Sequence, residues 1–341
     1  MSIRSDGWMP QDFVPGLASV IIPTYNRAAF LSRTLQSVFA QTHRPLEILV
    51  LDDGSTDNTK AVVQEFEKYH SEGLKFHYFL LEHAGACAAR NKGIAKSSGQ
   101  YLKFLDSDDL LEPEAIRLQV NNIRISKAAV VYGDWWDIYT NSADKVLRRK
   151  LSAPGSFSEP IIALLSRRWV ANFGYLFTRE AVIISGGWDE NWLVNQDFGF
   201  ALRVALTGAA FAYAPGAIGA YRRHQTDSIS KDNTLRSIAS TEIILKEAEE
   251  KLRGKNALHE EIARALAGYY LYVARKALRH NRDLFHKYLA EMSRLCPNYQ
   301  PPQRWQRWLV KALGYEHSEM LLLFGYRTIR FLESVFARAK A

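Results

Sequence analysis

The sequence predicts an α/β domain, with a mostly parallel sheet covered by helices on both faces, followed by a helical C-terminal subdomain. From residue 18 to 132, short runs rich in β-branched and aromatic residues alternate with helical stretches, which is typical of such a sheet. After Ser230 the composition changes to helix-forming residues with few strand signals. The chain has 341 residues, more than a typical single domain. We therefore expect a large α/β domain over 1–230 and a helical subdomain over 231–341, which ends in a basic amphipathic segment.

The first strands are predicted at 18–22, 46–51, 75–81, 101–105 and 129–132. Two of the intervening stretches place apolar residues on one helical face: Leu31, Leu35 and Val38 in the first, and Val62, Phe66 and Tyr69 in the second. Parallel strands end on a common edge of the sheet. We therefore expect Pro23, Asp53 and Asp106 to lie on one rim.

The later elements are less regular. Residues 133–158 are polar, include the basic run 148–150, and are predicted to leave the core as an excursion. A strand at 173–178, a helix at about 196–206 and a strand at 211–213 follow. In the subdomain, the spacing of Ile262, Leu266, Tyr269 and Val273 predicts one buried helical face.

Composition excludes several classes of protein. Hydrophobic residues make up 47% of the chain and charged residues 23%, as in ordinary folded proteins. Cys87 and Cys296 are far apart and have no zinc-ligand spacing, so we expect neither a disulfide framework nor a zinc site, which fits a cytoplasmic protein. The net charge of +8 favours anionic partners, but without a zinc-finger or RNA-binding signature we expect no nucleic acid. Neither a signal peptide nor a membrane-spanning apolar run is predicted.

The most informative segment is the end of the strand at 101–105, where Asp106, Ser107 and Asp108 follow directly. Ligands bind just outside the carboxyl ends of such strands, and carboxylate oxygens suit Mg²⁺ or Mn²⁺ accompanied by substrate phosphates. The alternative is a helix N-cap cluster, with Asp109 capping a helix that starts near Glu112. The segment alone does not choose between the two.

Four further clusters are expected on the same rim. Tyr25 and Arg27 offer a ring that can stack on a base and a guanidinium that can pair with phosphate. Asp53 can accept a hydrogen bond from a base, although residues 55–57 can equally cap a helix. Arg90 lies within reach of phosphate or base, and Asp197 follows Gln196 at the start of a helix, which makes an N-cap its alternative role.

Together these clusters make residues 19–230 resemble the family-two glycosyltransferases, which have the GT-A nucleotide-sugar fold. The ordered motifs that carry the resemblance are Pro23-Thr24-Tyr25-Asn26-Arg27, Asp52-Asp53-Gly54-Ser55, Ala89-Arg90-Asn91, Asp106-Ser107-Asp108-Asp109, Gly187-Trp188-Asp189-Glu190, Gln196-Asp197, and Tyr221-Arg222-Arg223-His224 leading to Ser228. The ordered series is far more specific than any single member.

The resemblance implies roles position by position. It implies nucleotide contacts from Pro23, Tyr25, Arg27, Asp53, Arg90, Asp106, Ser107, Arg222, Arg223 and Ser228. It implies Mn²⁺ or Mg²⁺ as cofactor, with Asp108, Asp106 and His224 as ligands. It implies Asp197 as the general base of an inverting transfer. Contacts with the acceptor or the sugar are expected from Trp135, Trp188 and Gln196.

Two departures from the family's pattern affect these roles. The family usually has Glu-Asp where this chain has Gln196-Asp197, which keeps the carboxylate assigned as the base. The family often has an Asn before Gly85, whereas this chain has His83 two residues upstream, so one nucleotide contact is in doubt.

The resemblance therefore implies a metal-dependent transferase that uses a nucleoside-diphosphate sugar, with a UDP-sugar favoured. The acceptor is expected to be a saccharide or a lipid-linked saccharide for a surface polysaccharide or glycolipid, with a protein or other soluble acceptor as the alternative. A nucleotidyltransferase is disfavoured because no glycine-rich basic loop follows the first strand. A nucleotide-sugar-binding module without catalysis is disfavoured by the intact Asp106, Asp108 and Asp197.

The C-terminal end interleaves Trp305, Trp308 and Leu309 with Arg304 and Arg307. This composition is typical of an interfacial amphipathic helix and predicts peripheral contact with the inner face of the membrane. A helix packed on the preceding domain, with its basic face in water, gives the same pattern and stays an alternative.

Overall fold

The computed structural model of the chain describes residues 13–69, 71–140, 146–223 and 234–338. The predicted site residues His224 and Ser228 lie outside these ranges. The strands are β1 (Val14–Thr24), β2 (Leu46–Asp52), β3 (Leu74–Leu80), β4 (Gly99–Phe104), β5 (Leu110–Leu111), β6 (Val130–Thr140), β7 (Val146–Ser152), β8 (Tyr175–Thr178) and β9 (Phe211–Arg223). The helices are α1 (Ala28–Phe39), α2 (Thr59–Phe66), α3 (Ala86–Lys96), α4 (Ala115–Ser126), α5 (Pro160–Leu165), α6 (Arg179–Ser185), α7 (Gln196–Ala205), α8 (Thr234–Gly254), α9 (Glu260–Ala277), α10 (Arg282–Leu295) and α11 (Arg304–Arg338).

The chain divides into two compact units. The first comprises Met1–Leu164 and Arg168–Asp232, and the second comprises Leu165–Arg167 and Asn233–Ala341. All described strands belong to the first unit, and helices α8 to α11 belong to the second. The predicted α/β class with a helical C-terminal region is confirmed.

The described strands form one sheet in the order β3-β2-β1-β4-β8-β6-β9-β5, with β7 paired to β6. Strands β3, β2, β1 and β4 are parallel to one another, whereas β8 runs antiparallel to both of its neighbours, β4 and β6. Strand β9 is parallel to β6, and β6 runs in the same direction as β4, so β1, β2, β3, β4, β6 and β9 share one direction. The sheet is therefore mixed but mostly parallel, as predicted. The core strands β1 and β2 are buried almost throughout, which is why they appear in the sequence as continuous apolar runs.

The prediction that residues 133–158 leave the core is wrong for 133–140, which are mostly buried in β6, whereas β7 is exposed as predicted. Strand β6 continues to Thr140, and β7 pairs with it. The acidic residues of β6 are buried because they have partners: Asp134 accepts hydrogen bonds from the Tyr213 hydroxyl and the Gly216 N–H, and Asp137 pairs with Arg223. Buried carboxylates with partners are compatible with a core strand.

A buried lysine fixes one turn beside the rim. Lys103 is fully buried on β4, and its Nζ donates to Gln119 Oε1 at 2.6 Å and to the backbone oxygens of Phe173 and Tyr175 at 2.5 and 3.1 Å. Burial holds the pKa of Lys103 well below its ordinary value. These bonds anchor the short 3-10 turn at Asn172–Gly174, which leads into β8.

The second unit is built from helices with one apolar face each. The four residues predicted to share a face of α9 are all buried, which confirms that prediction. Two buried or half-buried acids join the helices: Glu249 of α8 receives two bonds from Arg294 of α10, and Glu319 of α11 receives two from Arg275 of α9. Among the described residues, no helix combines the length and apolar character needed to cross a bilayer.

Candidate active site

The carboxyl ends of β1, β2 and β4 form the rim on which the candidate site lies. Thr24 is in register with Asp52, and Ile21 is in register with Phe104, so the residues that follow these strands are neighbours. The predicted common rim is confirmed. Asp53 follows β2 and Asp106 follows β4.

One end of the rim carries two stacked rings. Tyr25 and His83 lie with their ring centroids 4.3 Å apart and their planes at 27°. The His83 ring lies 2.9 Å from Asp53 Oδ2 through Nδ1, and the two Asp53 carboxylate oxygens accept hydrogen bonds from the N–H groups of Ala84 and Gly85 at 2.8 Å each. Tyr25 and His83 are both strongly exposed, with the Tyr25 ring 44% accessible. The arrangement offers an aromatic surface beside a carboxylate, as a nucleotide base requires.

The loops after β1 and β2 are locked together by Asn26. Its backbone has a left-handed φ of 51°, its N–H donates to Ser55 Oγ at 2.9 Å, and its Oδ1 accepts from the Thr56 N–H at 2.8 Å. Pro23 is buried at the end of β1, and Arg27 is the N-cap residue of α1. In the segment from Pro23 to Arg27, the exposed Tyr25 offers its aromatic ring to a ligand.

Arg90 connects the rim to the start of α7. It is buried on α3, and its two terminal nitrogens donate to Asp106 Oδ1 at 2.7 Å and to Gln196 Oε1 at 2.9 Å. Burial opposes the positive charge, but Asp106 and then Asp197 outweigh it and raise the pKa of Arg90. Gln196 in turn donates to the Trp192 backbone oxygen at 2.8 Å. Three predicted site residues are thus joined through one guanidinium.

The Trp188 ring packs against the Arg90 guanidinium. The Arg90 guanidinium lies 4.3 Å from the Trp188 ring centroid, and the other contacts of the ring include Phe200, stacked at 4.2 Å with a 10° angle. Asn91 brackets the Trp188 backbone, donating to its oxygen and accepting from its N–H. Because Trp188 is fully buried, the structure places it under Arg90 and away from any surface that a sugar can reach.

Carboxylates converge around Asp106. Asp106 and Asp108 are half-exposed and alternate with the buried Ser107 and Asp109. Burial and then the charge of Asp106 raise the pKa of Asp197 to about 7, against the opposing effect of Arg90. Burial also raises the pKa of Asp109 well above its ordinary value, with Asp108 and Asp106 adding to the increase. The site therefore concentrates negative charge in a poorly solvated place.

The donor set fits a divalent cation that is also held by a substrate. Two half-exposed carboxylates on one strand end, Asp106 and Asp108, supply hard oxygen ligands, and a cation would relieve the repulsion that raises the pKa values of Asp109 and Asp197. Over the described ranges, no three His, Cys, Asp or Glu side chains are grouped to hold a metal by themselves. Phosphate oxygens are needed to complete such a site, as is usual for Mg²⁺. The predicted ligand His224 is outside the described residues.

The capping role predicted for Asp109 is wrong. Helix α4 begins at Ala115 with Glu114 as its N-cap residue, and strand β5 intervenes. The buried Asp109 instead accepts a hydrogen bond at Oδ1 from the Arg222 N–H of β9 at 3.1 Å. The hydroxyl of Thr34 contacts the backbone oxygens of Ser107 and Asp109 at 2.9 Å each. These contacts fix the strand end that presents Asp106 and Asp108.

Asp197 is the second residue of α7, whose N-cap residue is Asn195 with a left-handed φ of 60°. Asn195 and not Asp197 therefore occupies the cap position. Asp197 is half-buried and lies beside Arg90 and Asp106. A carboxyl with a pKa of about 7 is suited to take up a proton near neutral pH.

The other end of the rim carries a cluster of aromatic residues that the sequence predicted only in part. Trp135 is buried on β6, and its ring meets Trp169 at 5.0 Å with a perpendicular orientation. Trp169 also meets Tyr221 at 5.5 Å, and Arg223 packs over Tyr221 at 4.3 Å. Trp169, with 38% of its surface exposed, is the accessible ring of this cluster.

Sequence reasoning missed three residues of the site. His83 was noted only as a departure, Trp169 lies in a short segment without periodicity, and Asn172 lies beyond it, with its Nδ2 3.4 Å from Asp106 Oδ1. The adjacent Arg167, Arg168 and Trp169 were a compositional signal for a binding loop. No sequence pattern marked Asn172.

Comparisons with known proteins agree with this geometry. Residues 19–187 match the family model described as Glycosyl transferase family 2. The glucosyltransferase WfgD of Escherichia coli, named as acting from UDP-Glc on α-D-GlcNAc-diphosphoundecaprenol, is 35% identical over 126 residues, which are 37% of this chain and 48% of WfgD. The chain spans less than half of the length of the curated relatives that it matches, from 14% to 48%.

Two solved structures share the fold. TarS 1–349 of S. aureus, in complex with UDP-GlcNAc, has a TM-score of 0.61 at 16% identity and covers 91% of each chain. The mannosyltransferase PcManGT from Pyrobaculum calidifontis, in complex with GDP-Man and Mn²⁺, has a TM-score of 0.56 at 17% identity, covering 95% of this chain and 85% of its own. Their likeness to this chain is one of fold.

Proposed function

Because the chain belongs to glycosyl transferase family 2, we propose that it transfers a sugar from a nucleoside-diphosphate sugar, a UDP-sugar, to a hydroxyl of a saccharide acceptor. The relative WfgD is named for such a transfer to a lipid-linked saccharide, which supports assembly of a surface polysaccharide or glycolipid as the setting. The observation that carries the proposal is the buried Arg90, which holds Asp106 on one side and Gln196, next to Asp197, on the other. In this arrangement Asp106, which contacts the donor, and Asp197, the base, belong to one cluster of side chains.

The donor nucleotide lies, in this proposal, across the ends of β1, β2 and β4. Tyr25 and His83 stack on the base. Asp53 either accepts a hydrogen bond from the base or fixes the loop at Ala84, which then contacts the base. Asp106 contacts the ribose or the metal, and Ser107, Arg27 and Arg222 complete the nucleotide side, whereas Arg223 is held away from it by its ion pair with Asp137. The bound UDP-GlcNAc of the TarS complex supports a uridine donor.

Asp106 and Asp108 would hold Mn²⁺ or Mg²⁺. Such an ion supplies positive charge to the diphosphate and so eases departure of the nucleoside diphosphate. The complex of PcManGT with Mn²⁺ supports this cofactor. Arg90 keeps Asp106 oriented toward the rim while its own charge stays buried.

Asp197 acts as the general base. It accepts the proton of the acceptor hydroxyl as that oxygen attacks the anomeric carbon, and a pKa of about 7 leaves a large fraction ionised at neutral pH. A single displacement by the hydroxyl inverts the anomeric configuration, because no enzyme nucleophile forms a covalent intermediate. Gln196, fixed between Arg90 and the Trp192 backbone, positions the start of α7 and so positions Asp197.

The acceptor arrives, we propose, at a membrane surface, and the protein is cytoplasmic and peripheral on the inner face. Support comes from the first three turns of α11, where Trp305 and Trp308 are 51% and 69% exposed. Arg304, Arg307 and Lys311 lie in the same turns, and no acidic residue occurs before Glu316. Exposed indole rings beside cations are favourable at an anionic lipid interface.

A donor-hydrolysis and transfer assay tests the proposed function. Purified full chain with Mn²⁺ and a panel of UDP-sugars should release UDP, faster with a saccharide acceptor than without. Asp197→Asn should lose the acceptor-dependent rate while still binding UDP. Release of pyrophosphate in place of UDP, or full transfer by Asp197→Asn, would contradict the proposal.

A further inference from the structure

We propose that Trp169, Tyr221 and Arg223 form a platform that binds a pyranose ring of the acceptor. The inference rests on the proposed function, since it assigns the acceptor side of the same site. Trp169 is 38% exposed, although two perpendicular rings, Trp135 at 5.0 Å and Tyr221 at 5.5 Å, hold it in place. A large indole that is fixed and still accessible is suited to meeting the C–H face of a sugar.

The platform lies beside the carboxylates. The residue after Tyr221, Arg222, donates its N–H to Asp109, and Asn172, three residues after Trp169, lies 3.4 Å from Asp106. Burial and then the charge of Asp109 raise the pKa of Tyr221, and Asp106 and Asp197 add smaller effects. A ring bound on Trp169 is therefore close to the proposed base.

Arg223 supplies the polar part of the platform. Its Nε pairs with the buried Asp137 at 2.8 Å, its guanidinium lies 4.3 Å from the Tyr221 ring centroid and 5.6 Å from that of Trp169, and its side chain is 40% exposed. The ion pair fixes the direction of the guanidinium. An oriented cation at the edge of an aromatic surface can donate hydrogen bonds to sugar hydroxyls or to an acidic sugar.

The position in the sheet separates this platform from the nucleotide. Tyr25 follows β1 and His83 follows β3. Trp135 lies on β6 and Tyr221 lies on β9. In the strand order, β4 and β8 lie between β1 and β6. At about 4.8 Å per strand, three steps place β6 roughly 14 Å from β1, with Asp106 at the end of β4 between them. The two aromatic surfaces therefore flank the carboxylates, one for each substrate.

Saturation-transfer difference NMR tests the platform. The probes are methyl glucoside, galactoside, mannoside and N-acetylglucosaminide, each added to the full chain with UDP and Mn²⁺. We expect at least one pyranoside to receive saturation from the wild-type protein, and the signal to fall at least about five-fold in Trp169→Ala. Trp169→Leu, which keeps bulk against Trp135 without an aromatic face, should show the same loss if Trp169→Ala does not fold.

Trp136→Leu is the matched control, because Trp136 neighbours Trp135 on β6 but its side chain points to the opposite face of the strand. It should retain the pyranoside signal. Absence of a signal from every pyranoside with the wild-type protein, or an equal signal from folded Trp169→Leu, overturns the platform. The UDP signal recorded in the same spectra reports separately on the proposed function, so the two failures are distinguishable.

Discussion

The guanidinium of Arg90 donates to Asp106 Oδ1 at 2.7 Å while its other terminal nitrogen donates to Gln196 Oε1 at 2.9 Å. Asp106 follows the central strand β4, and Gln196 begins helix α7 more than 80 residues later. Arg90, which is only 4% exposed, therefore fixes the position of Asp106 relative to the start of α7.

Arg90→Lys should lose this double contact. A lysine keeps the charge but cannot present two nitrogens in the planar fork that bridges Asp106 and Gln196. We expect kcat/KM for UDP-sugar transfer to fall about 100-fold, because misplacement of reacting groups by about 1 Å has effects of that size. The control is Arg117→Lys, in an exposed pair with Glu114, which should change neither activity nor melting temperature. Wild-type activity in Arg90→Lys would contradict the bridging role.

Asp197→Asn should abolish transfer and stabilise the protein at neutral pH. The folded-state pKa of about 7 lies above the unfolded value of about 3.9, so the folded state binds the proton more tightly. In the metal-free protein this contribution to stability is full below about pH 4 and is lost as pH rises toward 7, by on the order of 4 kcal/mol. Asparagine avoids that loss. Thermal melts should show a higher midpoint for Asp197→Asn at pH 7.5 and a small difference at pH 4.5; equal midpoints at pH 7.5 would refute the raised pKa of Asp197.

The same pKa predicts the pH dependence of catalysis. A base must be deprotonated, so kcat/KM with a fixed acceptor should rise with pH through a limb whose midpoint is near 7. Bound metal adds positive charge near Asp106 and should move the limb to lower pH. The check is a pH–rate profile from pH 5 to 9 at saturating Mn²⁺. A flat profile across this range would remove Asp197 as the titrating base.

His83→Ala should weaken nucleotide binding without changing the chemical step. The variant removes the ring stacked on Tyr25 at 4.3 Å and its contact with Asp53. We expect the Kd of UDP, measured by isothermal titration calorimetry, to rise about 5- to 10-fold, since an aromatic contact of this kind is worth about 1 kcal/mol. His77→Ala, a half-exposed histidine on β3, is the control and should bind UDP as the wild-type protein does. An unchanged Kd in His83→Ala would place the base elsewhere.

Metal binding should depend on the nucleotide. Because the described residues hold no complete metal site, Mn²⁺ alone should shift the melting temperature little, whereas Mn²⁺ with UDP should raise it by several degrees. Asp108→Asn should remove the Mn²⁺-dependent part of the shift. A shift of equal size with UDP alone in wild-type protein would argue against the cation.

The exposed tryptophans of α11 should mediate binding to anionic lipid. Flotation with vesicles containing phosphatidylglycerol should recover the wild-type chain, and the double variant Trp305→Ser, Trp308→Ser should be recovered several-fold less. Leu147→Ser, which removes a 60% exposed apolar side chain from β7, is the matched control and should float as the wild-type chain does. Equal recovery of the double variant would exclude these rings from the contact.

Much of the first unit could be predicted because its central strands are buried runs that end in marked residues. Asp53 and Asp106 could be placed on one rim from strand direction alone, and the register of β1 with β2 and β4 bears this out. The four buried positions of α9 followed from their spacing. Local pattern and tertiary burial agree in these elements.

The failures have specific physical reasons. Strand β6 appeared polar because Asp134 and Asp137 look like surface residues until Tyr213, Gly216 and Arg223 are seen to satisfy them. Asp109 looked like a helix cap because nothing in the sequence shows that its partner is the N–H of Arg222, 113 residues away. Partners that are distant in sequence decide both cases, and a local pattern carries no information about them.

The stacked Tyr25 and His83 pair has a consequence for changing the donor preference of this protein. Its described contacts run to Asp53 and the loop before α3, and not to the Arg90 bridge that joins Asp106 to Gln196. Substitutions at the stacked pair can therefore be selected for a different nucleobase while the residues around the reacting bond keep their geometry. Substitutions at Asp106 cannot, because they also disturb α7. Directed evolution of a new donor is best begun at positions 25 and 83.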